Sequence, residues 1–463
     1  MREISKKYLE EQKLEIFQDI SALLKIKSVT TDRVENIAAL EWVRKKALEM
    51  GLCAGYAVAD EVILISAGLG KWVLESNSVW ENIDLLKENI ESSGKETIGI
   101  LAHVDVVPAP GDWMYEPFGG DIEQGYIWGR GVVDDKGPLV LCLHGIKSLI
   151  LEAGASPLKR NAVMIIGSRE EGSWTDIEAY NKLGIKIDFG FTPDGEFPVC
   201  NGEKGYVDVI FKSKRNSDDD GYLLEGGSAA NMVPDYALLR TFDVENNKYM
   251  IYESKGEAAH TAYHDKGINA IHLLSSEVKQ LNLPKSVHNI VNFIYKYCGD
   301  PFGADLGIDS GEVIIGEDYF HRNVSAPTIL STTNDDFRLQ MNIRTTWGYN
   351  GERILSLMKK AALEYNLEVE IIESMDPMIV KRDSQFIMTL GDIYKENTGE
   401  AHVFKLAYGA SYAKAMPNIV SFGPVFPGDL DTCHEVNERV SVEQLHKAAM
   451  IYFEAIFKLC LPD

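Results

Sequence analysis

Hydrophobic residues recur at helical spacing through the first fifty residues of the chain. Ile16, Ile20 and Leu23 lie three or four positions apart, and the apolar positions that follow keep the same spacing. An apolar stripe with this period is typical of an amphipathic helix. The pattern therefore predicts two helices between Glu3 and Met50.

Beyond this region, short apolar runs alternate with a helical pattern. The runs at 97–107, 162–168 and 188–192 predict buried strands, and the helical spacing at 139–152 predicts a helix between the first two. Strands that alternate with helices indicate an α/β layer whose sheet is largely parallel.

The pattern changes at about residue 205. Alternating runs predict strands at 206–212, 236–242, 248–254 and 337–345, with helices near 266–280 and 351–365, before the helix–strand alternation returns after 377. We therefore predict one α/β domain built from 1–204 and 378–463, with a separate α+β domain, 205–377, inserted in it. The polar stretches 75–95 and 216–220 are expected to be a surface excursion and a solvated turn.

Composition and charge exclude several classes of protein. The 463 residues have an ordinary globular composition and a net charge of −24, which disfavours binding to nucleic acid or to anionic membranes. The six cysteines are far apart and form no C-x-x-C pair, so a reduced cytoplasm is expected. The longest apolar stretch, 138–151, is interrupted by His144 and Lys147, so we expect no membrane span.

The segment GILAHVDVVP carries the first candidate chemistry. His103 and Asp105 end an apolar run, and residues two apart in a strand share a face. Asp105 is thus expected to bond one ring nitrogen of His103 and leave the other free for a metal ion, an arrangement common behind metal-binding histidines. The alternative is a purely structural His–Asp pair.

Further acidic residues follow strand ends or precede a helix. Asp134 and Asp135 stand directly before the predicted helix, where two adjacent carboxylates need a compensating cation or the positive end of the helix. Strand ends also precede a vicinal glutamate pair and Asp194, and a late loop adds His434. Parallel strands bring such ends to one edge of a sheet, so we expect a carboxylate-rich cleft there.

Two imidazoles and at least three carboxylates suit Zn²⁺ or a similar divalent ion, and one ion would not neutralise them. Two ions that share a bridging carboxylate are suited to hydrolysis. Of the vicinal pair Glu170 and Glu171, one is expected to bind metal and the other to act as general base. The alternative is a solvated acidic pair.

Seven motifs in order resemble one family. HVDVVP, GRGVVDDKGP, REEGSW, TPDGEFP, GGSAANMVPD, GEAAHTAYHDKGINA and CHEVNERV are similar to the dinuclear zinc dipeptidases of the PepV and carnosinase type, within the larger group of aminoacylases, desuccinylases and glutamate carboxypeptidases. The resemblance implies a zinc-peptidase catalytic domain with a central mixed, largely parallel sheet and an inserted α+β lid.

The resemblance also implies a role for individual residues. Asp134 would bridge two Zn²⁺ ions with its carboxylate, and the peptide bond between Asp134 and Asp135 would be cis. Mn²⁺ or Co²⁺ could substitute for Zn²⁺. Glu170 would be the general base. The resemblance further implies that His103 and Asp194 bind one ion, that Glu171 and His434 bind the other, and that Asp105 supports His103. For the substrate, it implies that His260 stabilises the oxyanion and that Arg344 binds the carboxylate. Asn231 and Ser411 would make further contacts with the substrate.

We therefore predict a metal-dependent dipeptidase that acts on small peptides. An N-acyl amino acid deacylase would use the same chemistry, and a metal-dependent binding protein without catalysis is the alternative of another class. Because the middle block is longer than a single lid of ~100 residues, and PepV-like enzymes imitate a dimer with a doubled lid, we favour a monomer over a homodimer.

Three segments depart from the family pattern. His264 stands four positions after His260, where the family usually has proline. The segment 408–411, which corresponds to the family's substrate loop, has less glycine than its counterparts, and the segment 74–95 is longer than in PepV-type relatives. None of these departures removes a proposed metal ligand.

Overall fold

The structure of the protein is a computed structural model that describes residues 3–67, 79–154, 156–243, 248–316, 318–401, 403–407 and 409–462. The chain divides into two compact units. The first comprises Met1–Asn201, Val380–Lys405 and Ser411–Asp463, and the second comprises Gly202–Ile379 and Leu406–Ala410.

The units differ from the predicted domains in three segments. Residues 202–204, 378–379 and 406–410 are predicted to be part of the first domain, but they belong to the second unit. The backbone N–H of Lys204 donates to the carbonyl oxygen of Ala407 at 3.0 Å. This backbone pairing explains why the segment 406–410 belongs with the second unit.

Ten α-helices lie within the described residues. They are α1 (Glu3–Leu24), α2 (Arg33–Glu49), α3 (Val79–Ser93), α4 (Lys136–Ala153), α5 (Thr175–Lys182), α6 (Ala270–Val278), α7 (Lys285–Tyr297), α8 (Gly351–Glu364), α9 (Gln385–Thr398) and α10 (Val442–Cys460).

The strands of the described residues fall into two large sheets and three small ones. They are β1 (Cys53–Val58), β2 (Val62–Ala67), β3 (Thr97–His103), β4 (Asp121–Glu123), β5 (Tyr126–Trp128), β6 (Asn161–Gly167), β7 (Phe189–Thr192), β8 (Val199–Glu203), β9 (Gly205–Lys214), β10 (Leu223–Gly226), β11 (Met232–Val233), β12 (Tyr236–Asp243), β13 (Lys248–Lys255), β14 (Ala259–His260), β15 (Val313–Ile315), β16 (Asp318–Phe320), β17 (Val324–Thr332), β18 (Asp336–Thr345), β19 (Glu368–Met375), β20 (Met378–Ile379), β21 (Phe404–Ala407), β22 (Ile419–Ser421) and β23 (Arg439–Ser441).

The main sheet of the first unit has the order β1-β2-β6-β3-β7-β22-β8. The four central strands, β6, β3, β7 and β22, run parallel, and the strands on either side pair antiparallel. Every residue of β3 and β6 is buried, as expected for strands covered on both faces. The predicted α/β fold with a mixed sheet is confirmed.

Helix α4 begins directly after the acidic pair. The carbonyl oxygen of Asp135 accepts the N–H of Leu139, and a Cβ atom at Gly137 would lie 2.1 Å from the carbonyl oxygen of Val132. Only glycine therefore allows the acidic loop to approach the first turn this closely. Helices α1 and α10 pack against α4.

The segment predicted as a surface excursion contains helix α3. Ile83, Leu86 and Ile90 are spaced by three and four residues and are buried, and α3 packs against β1. The prediction was wrong because the many charged residues of this segment obscured a narrow apolar stripe. Residues 74–78 lie outside the described part of the chain.

The second unit is built on one antiparallel sheet of the order β13-β12-β10-β17-β18-β9-β19. Helices α6, α7 and α8 pack against its strands and share one hydrophobic core with them. The middle block, which is longer than a single lid of ~100 residues, therefore has one large sheet of seven strands. The predicted solvated turn at 216–220 is partly wrong, because Asp219 is fully buried and accepts hydrogen bonds from the backbone of Asn216 and the hydroxyl of Ser286.

No disulfide forms among the described residues, which include all six cysteines. Among the described residues, no helix combines the length and the apolar character that a membrane span requires.

Candidate metal centre

The candidate residues of the first unit meet at one edge of the main sheet. Strands β3, β6 and β7 are neighbours and run parallel, so their carboxyl ends lie at the same edge. His103 is the last residue of β3, Glu170 follows β6 by three positions, and Asp194 follows β7 by two. The sequence-based expectation of a carboxylate-rich edge is confirmed.

Asp134 lies between the two imidazoles. Its Oδ1 is 2.9 Å from Nε2 of His103, and its Oδ2 is 3.0 Å from Nε2 of His434. The same His103 nitrogen lies 3.9 Å from Oδ2 of Asp194, and the His434 nitrogen lies 2.9 Å from Oε1 of Glu171. One oxygen of Asp134 therefore lies beside the His103–Asp194 pair, and the other lies beside the His434–Glu171 pair.

Asp105 supports both His103 and the vicinal glutamates. Nδ1 of His103 lies 2.9 Å from the carbonyl oxygen of Asp105 and 3.3 Å from its carboxylate oxygen Oδ1. The two carboxylate oxygens also accept the backbone N–H groups of Glu170 and Glu171, each at 3.1 Å. One buried carboxylate thus orients the imidazole and anchors the loop that carries the glutamate pair.

Two buried carboxylate oxygens at this edge have no hydrogen-bond partner among the described residues. They are Oε1 of Glu170 and Oδ1 of Asp135. The other oxygen of Asp135 accepts the backbone N–H of His103 at 3.2 Å. The peptide bond between Asp134 and Asp135 is cis, as the family resemblance implies.

The hydrogen bonds among these groups shift the pKa values of both imidazoles upward. Burial alone would lower the pKa of His103, but bonds to Asp105 and Asp134 outweigh it and raise the pKa well above its usual value. Asp134 and Glu171 likewise raise the pKa of His434 to about 11 against the effect of burial. The pKa of Asp134 is held far below its ordinary value, although burial alone would raise it, because both imidazoles bond to it.

The glutamates behave differently. Burial raises the pKa of Glu170 well above its usual value, and it also raises that of Glu171. Within the described residues, no lysine or arginine pairs with either carboxylate, and the ion-pair partner of Glu171 is His434. The protein itself therefore leaves negative charge at this edge undercompensated, which is what a divalent cation would correct.

Two groups of side chains in the described part of the chain have the donor spacing of a metal site. The ligand atoms of His103, Asp134 and Asp194 lie within 4.8 Å of one another, and so do those of Asp134, Cys433 and His434. Asp134 belongs to both groups. Nitrogen, oxygen and sulfur donors of this kind fit Zn²⁺ and related ions.

Sequence reasoning missed several residues of this centre. Sγ of Cys433 lies 3.2 Å from Oδ2 of Asp134, yet the sequence analysis considers this residue only as one of six widely spaced cysteines. The hydroxyl of Tyr412 donates to Asp176 at 2.6 Å, and its ring meets the edge of His103 at 6.0 Å between centroids. The available sequence signal for both residues was adjacency to a predicted site residue, because Cys433 precedes His434 and Tyr412 follows Ser411.

A buried ion pair was also missed. Arg130 and Glu438 bond at 2.6 Å, and both are almost completely buried. Burial raises the pKa of Glu438 to about 7 in spite of the opposing charge of Arg130. Arg130 lies within the GRGVVDD motif and Glu438 within CHEVNE, but the pairing joins residues 308 positions apart.

Two predicted substrate-binding residues, Asn231 and Arg344, and the predicted oxyanion residue His260 belong to the second unit. Asn231 precedes β11, and His260 pairs with Met232 across the β11–β14 ribbon, so these two lie close together. Arg344 lies on β18, opposite Val324.

Two departures from the family pattern also have a structural setting. His264 is buried, and its Nδ1 donates to the carbonyl oxygen of Ser325. In the first unit, the hydroxyl of Ser411 accepts the backbone N–H of Ala413. Residue 408 lies outside the described residues.

Comparison with known proteins identifies the family of this chain. The sequence model of Peptidase family M20/M25/M40 matches residues 99–458. A Bacillus subtilis protein named Putative dipeptidase YtjP is 31% identical over 413 residues, which cover 82% of this chain and 86% of that protein. A protein of Staphylococcus saprophyticus subsp. saprophyticus, also named as a putative dipeptidase, is 28% identical over 97% of both chains.

The fold agrees with these matches. The crystal structure of human carnosine dipeptidase 1 superimposes with a TM-score of 0.61 at 12% identity and covers 98% of each chain. The resemblance to the PepV and carnosinase type is thereby confirmed at the level of family and fold. Membership implies a peptidase that uses divalent metal, and the chain has a donor set that fits one. The chain belongs to Peptidase family M20/M25/M40.

Proposed function

We propose that the protein hydrolyses dipeptides with two divalent metal ions, Zn²⁺ being the preferred one. The observation that carries the proposal is the position of Asp134, whose two oxygens each face a different imidazole at 2.9 and 3.0 Å. A single carboxylate placed in this way is suited to bridge a pair of cations. The remaining donors divide evenly between its two sides.

His103 and Asp194 would hold one ion together with Asp134, and Glu171 and His434 would hold the other. When bound, the two ions supply activation of a water molecule and polarisation of the scissile carbonyl group. Asp105 keeps His103 in the orientation that leaves Nε2 free for the metal. The Cys433 sulfur beside Asp134 adds a soft donor, which favours Zn²⁺ or Co²⁺ over Mn²⁺.

Glu170 is the proposed general base. Its carboxylate is buried, its Oε1 has no hydrogen-bond partner in the described part of the chain, and its backbone is anchored by Asp105. Glu170 takes a proton from the attacking water as the oxygen bonds to the amide carbon. It then passes this proton to the nitrogen as the carbon–nitrogen bond breaks, which releases the amine.

Arg344 is proposed to bind the C-terminal carboxylate of the substrate. Its side chain is only 8% exposed, Nε donates to Oδ1 of Asn342 at 3.1 Å, and the guanidinium lies 5.5 Å from the ring centroid of Tyr206. Among the described residues, it forms no ion pair with a carboxylate. A buried guanidinium in this state is well suited to an anionic ligand.

The remaining substrate residues are proposals that rest on the family resemblance. We assign stabilisation of the developing oxyanion to His260 and substrate contacts to Asn231 and Ser411. The short β11–β14 ribbon gives Asn231 and His260 a common support, because the carbonyl oxygen of Asn231 accepts the N–H of Thr261 at 2.9 Å. A monomeric state and a cytoplasmic location also remain predictions from the sequence.

A substrate panel tests the proposal. Protein stripped by chelation and then loaded with Zn²⁺, Co²⁺ or Mn²⁺ is assayed with free dipeptides, tripeptides and N-acetylated amino acids. Dipeptides are expected to be cleaved with the highest kcat/KM, and the stripped protein to be inactive. Preference for acetylated amino acids would assign a deacylase instead, and full activity after chelation would refute the metal mechanism.

A further inference from the structure

The ion pair of Arg130 and Glu438 joins the two loops that carry metal-ligand candidates. Oε2 of Glu438 accepts Nη1 of Arg130 at 2.6 Å. Oε1 of the same carboxylate accepts the backbone N–H groups of Gly131 and Val133 at 3.1 and 2.9 Å. One carboxylate thus binds three donors of the loop that leads into Asp134.

The same pair also holds the loop of His434. Nη2 of Arg130 donates to the carbonyl oxygen of His434 at 3.1 Å, and the N–H of Gly129 donates to the carbonyl oxygen of Glu438 at 3.0 Å. His434 and Asn437 have φ angles of 62° and 63°. These values lie in the left-handed region, which is unfavourable for most residues other than glycine. A loop with two such residues depends on bonds from outside to keep its conformation.

A buried ion pair is by itself weak evidence of a stabilising role, because apolar replacements of such pairs are often neutral. This pair is distinguished by where its remaining bonds go. Asp134 and His434, which lie on the two connected loops, are the residues whose side chains meet at 3.0 Å. By contrast, His103 ends strand β3, so the ladder of the main sheet holds its backbone in place.

We propose that Arg130 and Glu438 are positioning residues that set the separation of Asp134 and His434, and so control how tightly the ion on the Glu171 side is bound. The inference rests on the metal pair of the proposed function, but not on the identity of the substrate. The ion on the His103 side should depend on the pair much less, because its other ligands follow β-strands.

A metal titration without substrate tests this inference. The stripped full-length protein is titrated with Zn²⁺ against a chromophoric chelator, and with Co²⁺ by its visible absorption. Wild type is expected to bind two equivalents. Glu438→Gln is expected to retain the first equivalent with unchanged affinity and to bind the second about 10–100-fold more weakly, the usual loss when a group that orients a metal ligand is removed.

A second variant and a control separate positioning from general loosening. Arg130→Lys keeps the positive charge but lacks the planar fork that reaches both Glu438 and His434, so we expect a loss of about tenfold, again in the second equivalent. The control is Asp19→Asn. Asp19 is a buried carboxylate of the same unit that bonds His144 and Lys46 at 2.9 and 2.8 Å, and its loss should lower the thermal midpoint while both equivalents bind as in wild type.

The outcomes are distinct. Wild-type affinity for both ions in Glu438→Gln, or an equal loss of the second ion in Asp19→Asn, overturns the inference. If Glu438→Gln does not fold, an unchanged second equivalent in Arg130→Lys overturns it. A wild-type protein that binds fewer than two ions refutes the metal pair itself, and two tightly bound ions without dipeptidase activity refute only the proposed function.

Discussion

Replacing Glu170 by glutamine is the most direct test of how the centre works. The substitution keeps the size of the side chain and removes its ability to accept a proton. Glu170 is 8% exposed, and its Oε1 has no partner among the described residues, so the amide displaces no protein hydrogen bond at that atom. The backbone N–H that donates to Asp105 is unchanged, and the loop should keep its position.

The expected magnitude follows from the proposed role. A general base contributes about 10²–10⁴-fold to the rate, the equivalent of about 3–5 kcal/mol in activation free energy. Because Glu170 is not among the proposed metal ligands, the variant should bind both ions with the affinity of wild type. Its kcat should therefore fall by this factor while its metal content stays constant.

The assay combines metal analysis of the dialysed protein with steady-state kinetics on a dipeptide. Glu171→Gln is the matched control, because it makes the same chemical change one residue away. Oε1 of Glu171 contacts Nε2 of His434 at 2.9 Å, so this variant should lose metal as well as activity.

The two glutamates would have to exchange roles if Glu170→Gln lost metal and Glu171→Gln retained it. A value of kcat within a few fold of wild type in Glu170→Gln would refute the assignment of the general base altogether.

Three further predictions concern the second unit and helix α3. Arg344→Met should raise KM about 10–100-fold for dipeptides with a free carboxylate, the equivalent of about 1.5–3 kcal/mol, and should leave KM for dipeptide amides unchanged; an equal effect on both substrates would contradict the role of Arg344. Burial raises the pKa of Asp208 from 3.8 to about 6, so its contribution to stability is present below pH 3.8 and is lost as the pH rises through 6. In urea unfolding, the free energy of unfolding of Asp208→Asn relative to wild type should therefore rise by up to about 3 kcal/mol between pH 4 and pH 7.5. A difference between the two proteins that does not change with pH would refute this. Leu86→Ala should lower the free energy of unfolding by about 2–5 kcal/mol, because Leu86 is fully buried. Leu85→Ala is the control: this side chain is 41% exposed, and its loss should change the free energy of unfolding by no more than about 0.5 kcal/mol. Similar losses at both positions would contradict the packing of α3.

Much of the fold and of the centre could be predicted because the signals are local. The uninterrupted apolar runs that became β3 and β6 identify strands buried on both faces. Once these strands are taken as parallel neighbours, the carboxyl-terminal positions of His103, Glu170 and Asp194 follow from sheet geometry. The helical stripe of α3 was also local, but the charges around Leu86 masked it.

The sequence by itself determined which donors are present and at which strand ends they stand, because hydrophobic period and chain order are properties of neighbouring residues. Only the tertiary structure decided that Asp134 has one imidazole at each oxygen and that Cys433 lies beside it. It also decided that Glu438, 308 positions along the chain from Arg130, holds the loop that leads into Asp134. Such pairings depend on how distant segments pack, and the order of residues along the chain does not encode them as a local pattern.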